Sequence, residues 1–127
     1  MLINDPAIVA EVQAAFDAYE RALMENDLDA LDAMFWVSDL TVRIGPGQNL
    51  YGIDAIRAFR QNRPGGSPKR ELLKAVITTF GSDFATANVE FQREGAPKPG
   101  RQSQTWLRFP EGWRIVSAHI SMLAEGH

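Results

Sequence analysis

The sequence predicts an α+β fold in which three helices pack on one face of a curved, mostly antiparallel sheet. In the first half, apolar residues recur at helical spacing in three segments, with one short strand threaded between them. The second half contains four long segments of β-strand composition separated by turn residues, which indicates an antiparallel meander. Helices grouped apart from strands are typical of α+β domains.

The composition excludes several classes of protein. The chain has 127 residues, of which 45% are hydrophobic, so we expect one domain, residues 1–127, with its own core. Its net charge of -3 gives no general attraction to nucleic acid or to an anionic membrane. The absence of cysteine excludes disulfides and thiolate sites, and two histidines argue against a metal site. Without a membrane-length apolar run or a signal-peptide pattern, a cytoplasmic protein is expected.

The first helix places a tyrosine on its buried side. Asn4–Asp5–Pro6 is a helix-start pattern, with a capping side chain followed by proline. The apolar stripe that follows recurs at steps of three and four and consists of Ile8, Val12, Ala15, Phe16, Tyr19 and Leu23. A buried phenol needs a hydrogen-bond partner. Tyr19 therefore either packs with its hydroxyl on a backbone carbonyl or opens into a pocket.

The next segments form a second helix and a strand. Asn26–Asp27 caps a short helix that pairs with the first as an αα-hairpin. The strand 40–44 then has Leu40, Val42 and Ile44 on one face, and Thr41 and Arg43 on the other. Arg43 is either a solvated edge residue or a cavity residue that holds a carboxylate with two hydrogen bonds.

The third helix continues an apolar stripe into arginines. We expect Asp54 to cap it, and Ile56, Phe59, Arg60 and Arg63 share one face. Such arginines either reach over the edge of the core to water or line the mouth of an anion site. The following loop, PGGSP at 64–68, lacks the Gly-Lys-Ser/Thr of a phosphate-binding loop.

The strands are expected at 71–80 and 84–93, followed by a hairpin from Gly100 to Met122 that turns at Pro110–Glu111–Gly112. Regular alternation would place Trp113, Ile115, Ser117, His119 and Ser121 on one face of the last strand. His119 is then either a hydrogen-bonded structural residue or a pocket residue. Because both faces of this sheet appear mostly apolar, we expect a homodimer or higher oligomer through the face that the helices leave uncovered.

The chemical inventory is short. Candidate anion-holding groups are Arg43, Arg60, Arg63 and Arg101, and candidate proton-transfer groups are Tyr19 and His119. No nucleophile elbow, carboxylate pair or metal motif accompanies them. Many arginines with few carboxylates indicate a small anionic ligand.

Six motifs carry a resemblance to a known family. They are FW at 35–36, TVRIG at 41–45, I-x-x-F-R-x-x-R at 56–63, F-x-R-x-G at 91–95, GRQSQTW at 100–106 and GWRIVSAH at 112–119. The chain resembles the AtzH-like family, which includes the oxalurate catabolism protein HpxZ, within the nuclear transport factor 2-like (SnoaL-like) superfamily. The order of elements resembles the cone-shaped, cystatin-like fold of that superfamily. The turn before WRIV is also similar to the association domain of calmodulin-dependent kinase II.

The resemblance implies a decarboxylating amidohydrolase that needs no cofactor or metal and acts on an N-carboxylated urea, such as 1,3-dicarboxyurea, in cyanuric acid or purine catabolism. It implies Tyr19 and Arg43 as the catalytic pair. Second-tier substrate-binding residues would be Arg60, Arg63, Gln104 and His119. Two alternatives stay open: a non-catalytic oligomerisation or amidase-partner module, and a binder of a small carboxylate.

Overall fold

The computed structural model describes residues 1–124. The elements in chain order are α1 (Pro6–Glu25), α2 (Leu28–Ala33), β1 (Val42–Ile44), β2 (Asn49–Tyr51), α3 (Ile53–Gln61), β3 (Arg70–Phe80), β4 (Phe84–Arg93), β5 (Gly100–Phe109) and β6 (Gly112–Met122). The predicted α+β fold is confirmed, and the bounds of the four long strands agree with the prediction to within one residue.

One six-stranded sheet has the order β2-β1-β6-β5-β4-β3. The strands β3 to β6 form the predicted antiparallel meander. β1 lies parallel to β6, and β2 pairs antiparallel with β1 at the edge. The sequence did not predict β2, because its three residues are too few to show an alternating pattern. This arrangement brings β1 beside the last strand of the meander.

The predicted helix caps are present on α1 and α2. The Asp5 side chain accepts a hydrogen bond from Ala7 N at 3.0 Å, and the Asp27 side chain accepts one from Ala30 N at 3.1 Å. For α3 the prediction is wrong: the N-cap is Gly52, at φ 89°, with no side-chain cap, and Asp54 lies in the first turn. A glycine is suited to this position because the backbone there is left-handed.

The core lies between α1 and the inner face of the sheet. Apolar residues of α1, α2, α3 and strands β4 to β6 form a single buried cluster, in which Trp106, Phe16, Phe35 and Phe91 are at most 1% exposed. The predicted α1 stripe is confirmed, with Tyr19 3% exposed.

A bulge in β6 corrects the predicted alternation. Thr105 pairs with Ser117 and Trp106 with Ile115, so Val116 has no partner of its own on β5. The buried series therefore changes parity, from Trp113 and Ile115 to Ala118 and Ile120. Ser117 and His119 are consequently turned to the outer face of the sheet.

The outer face is less apolar than predicted. Val76 and Phe84 are exposed there, 44% and 38% respectively. Between them and β6, however, the exposed positions include Asn88, Ser103 and Ser117. The prediction that the sheet is apolar on both faces is therefore wrong for its centre, which is polar, and holds only toward its β3 edge.

Candidate active site

Tyr19 is held at the inner surface of the sheet. Its position on the last turns of α1 follows from the three- and four-residue stripe, which turns it toward β5. Gln102 Nε2 donates a hydrogen bond to the Tyr19 hydroxyl at 3.5 Å, and Gln102 is itself only 1% exposed. The Tyr19 ring meets Phe35 edge-on, with centroids 6.3 Å apart. The phenol is thus oriented by an amide and a neighbouring ring, and it opens into a cavity.

Arg43 reaches the same cavity from β1. The inward face of the strand is its polar one: Thr41 is fully buried and donates a hydrogen bond to Trp36 O at 2.8 Å, and Arg43 is 9% exposed. Of the two alternatives for Arg43, the structure shows the cavity residue. β1 turns Arg43 inward because Arg43 lies in register with the buried Ala118 of β6.

The cavity has an empty volume of about 280 Å³, including its open mouth. Its walls come from α1, β1, the segment after α3, β3, β4 and β6, and they consist of Tyr19, Leu23, Arg43, Arg63, Ser67, Pro68, Arg70, Arg93 and Ile120. A second cavity, whose empty volume of about 530 Å³ likewise includes its open mouth, is also lined by Arg43, Arg63 and Arg93, together with Phe59 and the loop 45–48. The three arginines therefore stand between an inner chamber and a more open one.

The charge in this region is not balanced. Among residues 1–124, the ion pairs that involve neighbouring arginines are Arg70 with Glu20 and Arg60 with Asp32. Arg43, Arg63 and Arg93 have no carboxylate partner within that range. Three guanidinium groups without counter-charges, in a chain of net charge -3, make a concentrated positive site suited to an anion.

Among the cavity arginines, Arg43 has the pKa value that its surroundings lower most clearly. Burial lowers the pKa of Arg43 to about 10; Tyr19 opposes this shift, and repulsion by Arg60, Arg63 and Arg93 adds to it. Burial also lowers the pKa of Arg63, with Arg60 adding to the effect, and the pKa of Arg93, with Arg63 adding to it. All three remain cationic at neutral pH. A bound anion would relieve both the burial cost and the mutual repulsion.

Aromatic rings support the arginines. The guanidinium carbons of Arg43 and Arg63 lie 5.1 and 5.4 Å from the centroid of Phe59. Those of Arg70 and Arg93 lie 4.4 and 5.6 Å from the centroid of Phe91. Each ring therefore serves two cations, within the distance at which a ring face attracts a guanidinium.

Three of the predicted site residues come together here: Tyr19, Arg43 and Arg63. Arg60 lies next to them but outside the cavity lining, paired with Asp32 and stacked 5.0 Å over Phe35. Arg60 therefore links α3 to α2 through its ion pair. It affects the cavity only through its positive charge, which contributes to lowering the pKa of Arg43.

Gln104 and His119 do not reach the cavity. Gln104 is buried, and its Oε1 accepts a hydrogen bond from Trp106 Nε1 at 2.8 Å. His119 is exposed on the outer face of the sheet, so the expectation that it is a pocket residue is corrected. The physical reason is the bulge at Val116, which shifts every later side chain of β6 to the opposite face.

Sequence reasoning missed two arginines and one amide of the site. Arg93 belongs to the F-x-R-x-G motif, and Arg70 lies at the start of β3. Neither lies on an apolar stripe, so periodicity gives no signal for them. Gln102 lies in GRQSQTW, and its contact with Tyr19 joins residues 83 positions apart. Only strand register reveals such a pair.

The residues present favour proton transfer and anion binding. Within residues 1–124 no cluster of three histidines or carboxylates could hold a metal ion. In the same range no helix has the length and apolarity to cross a membrane. What the cavity offers is one phenol, three guanidinium groups that are unpaired within the described part of the chain, and an apolar wall of Leu23, Pro68 and Ile120.

A family model now matches this chain over residues 1–126, and its description is AtzH-like. The chain belongs to the AtzH-like family. A search of curated proteins finds no significant match. The identification rests on nearly the whole chain, and so includes every residue that lines the two cavities.

Solved structures agree with this assignment. The AtzH-like chain is 52% identical to a protein of unknown function from Pectobacterium atrosepticum, with a TM-score of 0.93 over 96% of this chain and 95% of that one. It is 51% identical to a cystatin-like fold protein from Burkholderia xenovorans, with a TM-score of 0.93 over 98% of each chain. A nuclear transport factor 2-like superfamily protein from Salmonella enterica is 25% identical, with a TM-score of 0.76 over 96% and 95%. The predicted fold family is confirmed.

One further match concerns assembly. A protein from Thiobacillus denitrificans, described as a calcium/calmodulin-dependent protein kinase type II association domain, is 26% identical to the AtzH-like chain. Its TM-score is 0.72, over 88% of this chain and 94% of that one. The same fold is thus found in a protein named for association, which bears on the second candidate function below.

Proposed function

We propose that this AtzH-like protein is a decarboxylating amidohydrolase of the cytoplasm that acts on an N-carboxylated urea, such as 1,3-dicarboxyurea, or on a related ureide acid. The observation that carries the proposal is the grouping of Tyr19 with Arg43, Arg63 and Arg93 around one small cavity; these three arginines have no carboxylate partner among the described residues 1–124. Family membership supports the reaction class. Within the family, a role in oxalurate or purine breakdown, as for HpxZ, is a narrower form of the same proposal.

The arginines would bind the substrate without changing their own charge. Guanidinium groups stay protonated at neutral pH and match a planar carboxylate with paired hydrogen bonds. Because Arg43 is more buried than Arg63 and Arg93, its contact with a carboxylate would be the least screened by water. Arg63 and Arg93, which are more exposed than Arg43, would hold the part of the substrate that extends toward the mouth.

Tyr19 would supply the proton that decarboxylation requires. When the bond between nitrogen and the departing carboxylate carbon breaks, its electron pair stays on nitrogen and carbon dioxide leaves. The Tyr19 hydroxyl would give its proton to that nitrogen and recover one from solvent, with Arg43 stabilising the phenolate in between. Gln102, which donates to the same oxygen, would keep the phenol aligned. The apolar wall of the cavity would keep water from the reacting carboxylate.

The first test is Tyr19→Phe, which removes only the proposed proton donor. We expect turnover to fall by about 10²- to 10⁴-fold, the usual contribution of a positioned acid or base. Release of carbon dioxide should be measured, with 1,3-dicarboxyurea generated in the assay. Substrate affinity should change little, because the arginines remain.

The matched control is Tyr51→Phe, since Tyr51 is the other tyrosine of the chain and is 66% exposed on β2. It should turn over at the wild-type rate. Full turnover by a folded Tyr19→Phe variant would exclude the phenol as the acid. If neither the wild type nor the variants release product, but calorimetry shows that the protein binds a small carboxylate, the proposed function would change from an enzyme to a carboxylate-binding protein.

A second candidate function is an assembly or amidase-partner module, favoured by the likeness to the Thiobacillus association domain. In either function we propose a homodimer through the outer face of the sheet. The exposed apolar side chains toward its β3 edge, Val76 and Phe84, would be covered in that way. Co-purification with an amidase, without turnover by the isolated protein, would favour the partner module.

The dimer leads to a direct prediction. Light scattering at micromolar concentration should give twice the mass of the chain, which is 14.1 kDa. Val76→Glu should shift the mass toward that of one chain, because the new charge would be buried in the interface. Val37→Glu is the control, since Val37 is 65% exposed in the connection after α2. Wild-type protein that scatters only as a monomer would contradict the prediction.

A further inference from the structure

We propose that Phe59 is a positioning residue, whose ring face holds the guanidinium groups of Arg43 and Arg63 toward the cavity against their mutual repulsion. Only the identity of the bound anion rests on the proposed function. The role of Phe59 is to let two positively charged side chains share one site. Neither the family assignment nor the reaction class specifies such a residue.

The first step is that Phe59 is not a core residue. Its side chain is partly exposed on α3, and it is absent from the buried cluster that holds the helices on the sheet. Ile56 and Ile53 of the same helix, by contrast, belong to that cluster and are at most 4% exposed. The contacts of Phe59 therefore lie outside the cluster that holds the helices on the sheet.

The second step is what the ring touches. Arg43 and Arg63 lie 5.1 and 5.4 Å from its centroid, and all three residues line the outer cavity. Neither arginine has a carboxylate partner within residues 1–124. The negative face of the Phe59 ring is therefore an attraction that both cations share.

The third step is the need for such a support. Arg63 is partly exposed, and its pKa is lowered first by burial and then by repulsion from Arg60. A long arginine side chain at the edge of a cavity gains hydration by turning to water, and repulsion from Arg43 would favour that turn. Attraction to Phe59 opposes it, and the ring needs no charge that would compete with the ligand. The empty site is thereby preorganised for an anion.

Phe59 can be tested with variants that separate ring from bulk. Phe59→Leu keeps an apolar side chain but removes the ring, whereas Phe59→Tyr keeps the ring. Phe109→Leu is the control. Phe109 is also partly buried, but its ring stacks on that of Trp36, with centroids 5.5 Å apart, and it lines neither cavity. One readout is calorimetric titration with oxalate at low ionic strength. The other is the rate at which phenylglyoxal modifies Arg63, located by mass spectrometry.

We expect Phe59→Leu to weaken oxalate binding roughly tenfold, since two cation–ring contacts are lost, and to raise the modification rate of Arg63 several-fold. Phe59→Tyr and Phe109→Leu should match wild type in both measurements. Wild-type values for Phe59→Leu would overturn the inference, and so would an equal loss in Phe59→Tyr, which would assign the effect to packing. If wild type binds no oxalate, the proposed anion site fails, while the Arg63 modification rates still decide the role of Phe59.

Discussion

Replacing Arg43 with methionine is expected to lower turnover sharply and at the same time to stabilise the fold. Arg43 is 9% exposed and has no carboxylate partner within residues 1–124. Burial lowers its pKa to about 10. A cation with a depressed pKa is held less favourably in the folded chain than in the unfolded one, so at neutral pH it reduces the free energy of unfolding. Methionine fills similar space without a charge.

The expected gain is roughly 1–2 kcal/mol in the free energy of unfolding, after allowance for the lost contact with Phe59. It should be measured by urea denaturation at pH 7. The pH dependence follows from the lowered pKa. The difference in the free energy of unfolding between variant and wild type should narrow as the pH rises above about 10, where folded Arg43 begins to lose its proton. Turnover should fall at least about 10²-fold, as for loss of a buried charge in a site.

A suitable control is Arg21→Met, because Arg21 is exposed on α1 and lines neither cavity. It should leave both stability and turnover near wild type. A clear loss of stability in Arg43→Met would mean that the arginine is satisfied in the folded chain and is not a strained functional group. Retained turnover would remove Arg43 from the catalytic pair.

The same substitution at Arg60 is expected to have the opposite effect on stability. Arg60 is also 9% exposed, but it forms an ion pair with Asp32, whose side chain is 14% exposed. Its removal leaves a largely buried carboxylate on α2 without its partner, so Arg60→Met should lower the free energy of unfolding by about 3 kcal/mol. For a chain of this size the melting temperature should fall by roughly 10 °C.

A double variant isolates the cause. In Asp32→Asn/Arg60→Met both charges are gone, and most of the lost stability should return, because an unpaired buried charge is costlier than a missing pair. Urea denaturation of the wild type, the two single variants Asp32→Asn and Arg60→Met, and the double variant completes this double-mutant cycle. If the double variant were as unstable as Arg60→Met, the loss would come from the packing of Arg60 over Phe35 and not from the stranded carboxylate.

Arg43 and Arg60 thus show the limit of sequence patterns at this site. Both are arginines beside apolar neighbours in segments of regular structure, and their patterns left solvated and cavity readings open for each. The difference between them is a partner: Asp32 lies 28 residues from Arg60 and reaches it only when α2 packs against α3. Pairing across such distances is a tertiary property, because no local rule connects the two positions.

The sequence by itself determined the helices of the first half, the four long strands, the buried stripe that carries Tyr19 and the polar face of β1 that carries Arg43. These follow from local periodicity and capping, which act over a few residues. Only the tertiary structure decided that Arg93 joins the cavity, that Gln102 meets Tyr19 and that His119 lies on the far face. Those outcomes depend on strand register and on one bulge at Val116, and register is set by how the whole sheet packs against the helices.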